Sequence, residues 1–357
     1  VSTPRWGMLG GMKLRLLVAV SAAALTLTAC SSSSDGGTKE PAKPDASKGT
    51  AKKLVEISPL TGRALPNGRP ANPVFVVKVE NTEGGAPQYG LNKADMVMEE
   101  LVEGGLTRLA AFYYSNLPSK IGHVRSLRDT DIGIASPVGG QVVASGGAAG
   151  TYKRVQRAGV KVFSEDAGSP GFSSDPLKVR PYNRLIDLKT VAKKAKATKI
   201  LGPYLPWTPV NSSTKTPAAG ATNPAPPLQR KARRANVRFS NSTATSWKLA
   251  GSTWQRTNGH AAAGQDFKAN TMIVMFCRVG DAGYTDPAGN PVPETKFEGK
   301  GRALVFHGST VTEVVWHKPS LDEAITFATK AGEPYTIHPG KVFFELVPKG
   351  DGKVALG

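Results

Sequence analysis

From about residue 54 onward, the apolar positions fall in short β-branched and aromatic runs bounded by Gly, Pro and Asn. That pattern predicts strands closed by turns. Val74-Phe75-Val76-Val77-Lys78-Val79 is the clearest run and ends at a turn through Gly84 and Gly85. Met96-Val97-Met98 and Leu106 to Tyr113 read as two further strands separated by the Gly104-Gly105 turn. Gln141 to Ala144 is a short strand leading into Ser145-Gly146-Gly147; Thr151 to Ala158 reads as a short helix and Val160 to Phe163 as the next strand. Strands and helices mixed with Gly-rich turns over residues 54–205 predict an N-terminal α/β domain.

Residues 206–235 lose this patterning and become a Pro/Ala-rich, basic linker. From 236 to 350 the chain is strand-like again. Val237-Arg238-Phe239, the surroundings of Trp247 and Trp254, Met272 to Cys277, Ala303 to Phe306, Val311 to Trp316 and Val342 to Val347 are separated by turn residues. This predicts a mostly-β C-terminal domain. The expected fold class is α+β, a mixed α/β N-terminal domain followed by a mostly-β one. No internal repeat is evident.

The first thirty residues obey a different logic. Met12-Lys13-Leu14-Arg15 is a short basic segment, and an apolar stretch runs from Leu16 to Leu25. About ten apolar residues are too few for a bilayer core that needs ~20 in a helix. The segment reads as a secretory signal, with residues 1–29 forming a signal peptide plus an N-terminal extension. Leu27-Thr28-Ala29-Cys30 resembles the lipobox of bacterial lipoproteins, in which the cysteine receives a diacylglycerol. Residues 30–53 are then a lipidated Cys30 and a Ser/Gly/Lys/Pro tether with nothing to bury. This places the protein at the cell membrane, on its extracytoplasmic side, with the membrane as its first partner. The competing reading is an ordinary signal peptide cut near Ala29.

Composition sharpens the picture. The 357 residues carry a net charge of +19, which invites a nucleic-acid reading. Residues 189–238, however, hold eleven Lys and Arg and no acid, so the basicity is local. It lacks the interleaved aromatics of a nucleic-acid surface, and no nucleic-acid partner is expected. The basic linker suits anionic lipid or a wall polymer, or is simply a solvated flank. A protein partner is also open. With only Cys30 and Cys277 present, a disulfide framework and a cysteine zinc module are excluded. Cys277 sits in an apolar run and reads as packed and inert.

The densest polar grouping lies in the first domain. If Met96 to Met98 is a strand, Asp95 and Glu99 share one face and Glu100 takes the other, with Arg108 available across the hairpin. Arg108, Arg125 and Arg128 can grip phosphate or carboxylate bidentately, with Asp95, Glu99 and Asn81 beside them; the alternative is a set of internal ion pairs. His123 would need Asp129 or Asp131 to orient it as a base, and a lone loop histidine is otherwise expected at the surface. Ser145-Gly146-Gly147 could form an anion nest but lacks the flanking glycines of a nucleophile elbow. No phosphate-binding or dinucleotide loop occurs, and His260, His307, His317 and His338 lack metal-ligand spacing. No catalytic set, metal or cofactor is expected.

Pro59-Leu60-Thr61-Gly62, Pro87 to Leu91, Glu99 to Arg108 and Lys120 to Arg128 together resemble the YerB-like lipoproteins. Gly301 to Phe306, Val315 to Pro319 and Pro339 to Pro348 extend the likeness toward the C-terminus. The resemblance implies two paired domains of unknown function and an envelope location. Arg180-Pro181-Tyr182-Asn183 stands where that family tends to carry a histidine, while the arginine cluster is intact. Two functions follow as expectations. One is a non-catalytic binding protein for an anionic envelope ligand, a glycan or a partner. The other, by a looser likeness of residue order to LytR-CpsA-Psr phosphotransferases, is an enzyme on phosphorylated envelope precursors, with Asp95 or Glu99 as base or Mg²⁺ ligand.

Overall fold

The β-branched runs form strands where the pattern places them: β1 (Phe75–Glu80), β2 (Met96–Leu101) and β3 (Thr107–Tyr113). A short helix, α1 (Asp131–Ala135), precedes β4 (Gln141–Ala144), and the predicted helix and next strand are α2 (Ala149–Arg157) and β5 (Val162–Ser164). Strands β6 (Phe172–Ser174) and β7 (Arg184–Ile186) were not expected, because neither carries an apolar run. The computed structural model describes residues 55–200, 202–209, 227–286 and 289–357. The signal segment, Cys30, the tether and much of the linker lie outside them.

The second region supplies β8 (Arg234–Arg238), β9 (Ala244–Ala250), β10 (Thr253–Arg256), β11 (Thr271–Thr285), β12 (Gly299–His307), β13 (Thr310–Lys318) and β14 (Val342–Pro348). Strand β11 outruns its apolar stretch because its far half pairs as a hairpin with Pro291–Lys296, where residues need not be buried. The end of the stretch read as linker is ordered: Gln229–Lys231 pairs with β13, and β8 pairs with β9. The fold is α+β, mixed in the first region and mostly β in the second.

Strands of both regions share one hydrogen-bonded sheet, whose central order is β13-β12-β11-β14-β2-β3-β1-β4-β5. Strand β14 runs parallel to β11 and to β2. Strands β1, β4 and β5 are mutually parallel, and β3 is antiparallel to both β1 and β2. So β1, β2, β4, β5, β11 and β14 all point the same way. Their sequences are apolar on both faces because both faces are covered, as parallel sheets require. Val76, Met98, Phe112, Met275 and Phe344 pack beneath Ile134 of α1, Val155 of α2 and Tyr204. Val77, Val97, Val274 and Phe343 meet a five-stranded sheet that includes β8, β9 and β10. Its Trp247 stands edge-on to Phe343 at 4.8 Å and its Trp254 edge-on to Phe306 at 5.3 Å. Cys277 is fully buried, and burial pushes its thiol pKa up, so it is inert as read.

At the β2–β14 seam, Glu99 and Glu345 are register partners, and neither is exposed. Burial raises both carboxyl pKa values, Glu345 well above the ordinary range, where the neighbouring Glu99 adds to the effect. Glu345 therefore holds its proton to higher pH than an ordinary carboxyl, and its Oε1 accepts Trp247 Nε1 at 2.6 Å. An acid whose folded pKa is raised binds more protons folded than unfolded, so its contribution to stability is lost as pH rises above about 4.5. The loss is at most about 1.4 kcal/mol per pH unit. Glu345→Gln should remove that fall. The difference between wild-type and variant stability, from denaturant melts at pH 4.5 to 8, isolates it from other titrating groups, and parallel curves would refute the raised Glu345 pKa.

Candidate functional site

Where parallel strands end, the backbone leaves room for a ligand, and four of the six parallel strands end together here. Glu103 follows β2, Ser145-Gly146-Gly147 follows β4, and Asp166 lies just past β5. With Arg128 and Tyr284 they line a cleft of about 470 Å³. The segment carrying the arginines is laced to these strand ends. Arg125 N donates to Lys78 O (2.9 Å), Ser145 N to Arg125 O (3.0 Å) and Leu127 N to Gly146 O (2.8 Å). Helix α2 opens at the same place. Its N-cap, Ala148, lines the cleft, offers no side-chain cap, and is followed by no acidic residue in the first turn. No side chain of the helix itself offsets the positive end of its dipole, and the acidic group beside Gly146 in the cleft, near that end, is the Asp166 carboxylate.

A buried charge network lies under the cleft on the same sheet face. Lys78 on β1 reaches Asp131 Oδ1 at 2.6 Å and also binds Glu100, and all three side chains are fully buried. Asp131 Oδ2 accepts Arg128 N at 2.8 Å, so the triad fixes the turn that presents Arg128. Arg128 pairs with Glu103 at 2.5 Å, and Arg125 pairs with Glu80 while stacking on Tyr182 at 4.8 Å. Glu80 can lie flat there because residue 85 is glycine: a Cβ would fall 2.3 Å from Glu80 Cγ.

Arg108 differs from the other two. It is 4 % exposed, yet among the described residues it makes no ion pair, and its Nε has no acceptor. Its one hydrogen bond runs from Nη1 to Ser126 O at 3.3 Å, and Ser126 lines the cleft. Burial first, and then the neighbouring Arg128, lower its pKa to about 10. A buried guanidinium short of an anion, beside a second arginine whose Nε is also unpaired, favours any anion that reaches it.

The six residues singled out in the sequence therefore divide. Arg108, Arg125 and Arg128 come together. Asp95 lies at the other end of β2, where its carboxylate accepts Tyr114 N at 2.7 Å and Ser115 N at 2.9 Å and acts as a cap. Glu99 and Asn81 are on the opposite sheet face. There Asn81 Nδ2 donates to Glu99 at 3.0 Å, and Arg256 Nη1 donates to Asn81 Oδ1 at 3.1 Å. A cavity of about 40 Å³ beside Asn81 and Arg256 admits little more than water. Asp95 and Glu99 thus cannot serve as base or metal ligand beside the arginines.

His123 corrects an expectation. It is fully buried rather than at the surface, and its partners are Gly85 O at 2.8 Å and Asp175 at 3.1 Å, not Asp129 or Asp131. Sequence reasoning also passed over Lys78, whose signal was a lone cation inside a strand apolar on both faces; such a charge must be paired. Lys78→Met should cost about 3–5 kcal/mol by leaving Glu100 and Asp131 buried without their counter-ion. Adding Glu100→Met and Asp131→Asn should recover most of that loss, and thermal melts of the single and triple variants test both statements.

Known proteins resemble this chain in three ways. Residues 60–201 match the N-terminal domain, and residues 235–344 the C-terminal domain, of the protein family of unknown function DUF3048. A stretch of 113 residues is 38% identical to the "Putative lipoprotein YerB" of Bacillus subtilis (strain 168), covering 31% of this chain and 33% of that protein. The match thus spans about a third of that relative's length. The crystal structure of the YerB protein from Bacillus subtilis superposes with a TM-score of 0.66 at 20% identity, over 84% of this chain and 99% of that one. At that identity the superposition establishes the fold. With both domains present in order and the fold shared, the chain belongs to the YerB-like family of paired DUF3048 domains.

Proposed function

We propose that this protein is a membrane-anchored, extracytoplasmic binding protein that holds an anionic group of an envelope ligand, a phosphate or carboxylate, in the cleft at the strand ends. The observation that carries this reading is Arg108, a buried guanidinium behind the cleft wall that makes no ion pair among the described residues. The uncapped N-terminus of α2 and Arg128 point to the same ligand charge. Binding is favoured over transfer chemistry because the carboxylates that contact the arginines or Lys78 are already committed: Glu80 to Arg125, Glu103 to Arg128, and Glu100 and Asp131 to Lys78. That leaves Asp166 on the cleft wall without a basic partner, among the described residues, to make a catalytic pair.

Anchoring rests on Cys30 in its lipobox context and on the relative named as a lipoprotein. Two acyl chains on one residue supply the two hydrophobic signals that stable attachment requires. No helix among the described residues is long and apolar enough to cross a membrane. The exposed Arg230, Lys231, Arg233 and Arg234 add attraction to anionic lipid or wall polymer.

Two experiments test the two halves. Calorimetric titration with a polyprenyl phosphate, a teichoic-acid fragment and a peptidoglycan fragment should show binding of at least one. Arg128→Gln should weaken it by about 1.5–3 kcal/mol, the usual worth of a hydrogen bond to a charged group. Flat titrations with all three, or equal affinity in the variant, would remove the binding reading. Palmitate labelling in cells should mark the wild-type protein and spare Cys30→Ala; equal signals would remove the anchor.

A further inference from the structure

The two most exposed large apolar side chains in the described residues are two positions apart in one loop: Leu177 is 86 % exposed and Val179 77 %. They project from the connection between β6 and β7, and the loop is built rather than slack. Its neck is closed by Asp175 N donating to Asn183 O at 2.7 Å. Leu177 N donates to Asp175 Oδ1 at 3.0 Å, and Tyr182 N donates to Val179 O at 2.9 Å. Asp175, the loop's acidic residue, is turned inward onto His123. Between the apolar pair stands Lys178, half-buried with its Nζ donating to Gly84 O at 3.3 Å, and beside it Arg180, 69 % exposed though paired with Glu165.

A loop fixed by its own hydrogen bonds has lost the freedom to fold apolar side chains back under itself, so holding Leu177 and Val179 out in water carries a standing cost. Apolar tips alternating with long cations match an interface whose outer layer is anionic and whose inner layer is hydrocarbon. We propose that residues 176–182 are a membrane-contact loop, Leu177 and Val179 entering the headgroup–acyl boundary of an anionic bilayer while Lys178 and Arg180 remain among the phosphates. The loop draws on the anchored reading only to say that a bilayer is nearby. Its role would be to fix how the domain stands on the surface.

The test uses the full chain carrying Cys30→Ser, so that no acyl anchor contributes, and vesicles of phosphatidylcholine with or without phosphatidylglycerol. The expected result is sedimentation with the phosphatidylglycerol vesicles, about tenfold weaker partition for Leu177→Asn/Val179→Asn, and an unchanged melting temperature. A Leu177→Cys variant bearing an environment-sensitive fluorophore should shift to the blue on adding the same vesicles. Unchanged partition in the double variant would overturn the proposal. So would concentration-dependent self-association, without vesicle binding, that the double variant abolishes. Failure here leaves the Cys30 labelling result and the Arg128 titration untouched, so it is distinguishable from failure of the anchored binding reading.

Discussion

Strand β14 hydrogen-bonds to β2 on one side and to β11 on the other, parallel to both, and its seven residues are all buried. Parallel neighbours cannot be joined by a tight turn. Its pairing with β2 closes a loop of well over two hundred residues, and only burial on both sheet faces rewards that closure. Val342, Phe344 and Leu346 serve the core under the helices, whereas Phe343 and Val347 serve the core under the five-stranded sheet. Removing this strand would leave β2 and β11 as open edges and separate two cores that now share a wall.

The same seam explains why so much charge lies inside. The parallel strands carry Lys78, Glu80, Glu99, Glu100 and Glu345, and the start of the antiparallel β3 carries Arg108, all nearly or wholly buried. Because side chains alternate, these residues are sorted onto two faces. Lys78, Glu80, Glu100 and Arg108 support the cleft, while Glu99 and Glu345 face Trp247, Thr245 and Arg256. On the cleft side Glu80 pairs with Arg125, Glu103 with Arg128, and Glu100 and Asp131 share Lys78, while Arg108 makes no ion pair among the described residues. On the other side burial raises the pKa of both carboxyls, and Glu99 adds to the effect on Glu345. Such networks are costly to break and costly to leave half made, which is why the unmatched arginine is informative.

Several features were legible without coordinates. Val74 to Val79 and Gln141 to Ala144 became strands because β-branched residues fit a pleated, buried surface. Arg108, Arg125 and Arg128 were recognisable as a group by spacing across a hairpin and a short loop, and the structure brings them together. Strands β6 and β7 were not legible, since each is three residues long and carries at most two apolar positions. Asp95 looked functional in the sequence because a carboxylate at a strand's start has the same composition whether it caps a neighbouring loop or waits for a ligand. The solvent-side Lys and Arg of residues 229–235 read as linker because their alternation with Ala is too brief to outweigh their charge.

The sequence by itself determined where strands form, that the fold is α+β, that the basicity is confined to one stretch, and which family's motifs are carried, because these depend on neighbours along the chain. The tertiary structure decided which charges meet. Glu345 finds Glu99, Asp131 finds Lys78 and Asp175 finds His123 across long sequence separations. No local pattern encodes those pairings; the parallel insertion of β14 and the facing of the sheets do. The cleft exists for the same reason, since strands so far apart in sequence must point the same way before their ends can share one crevice.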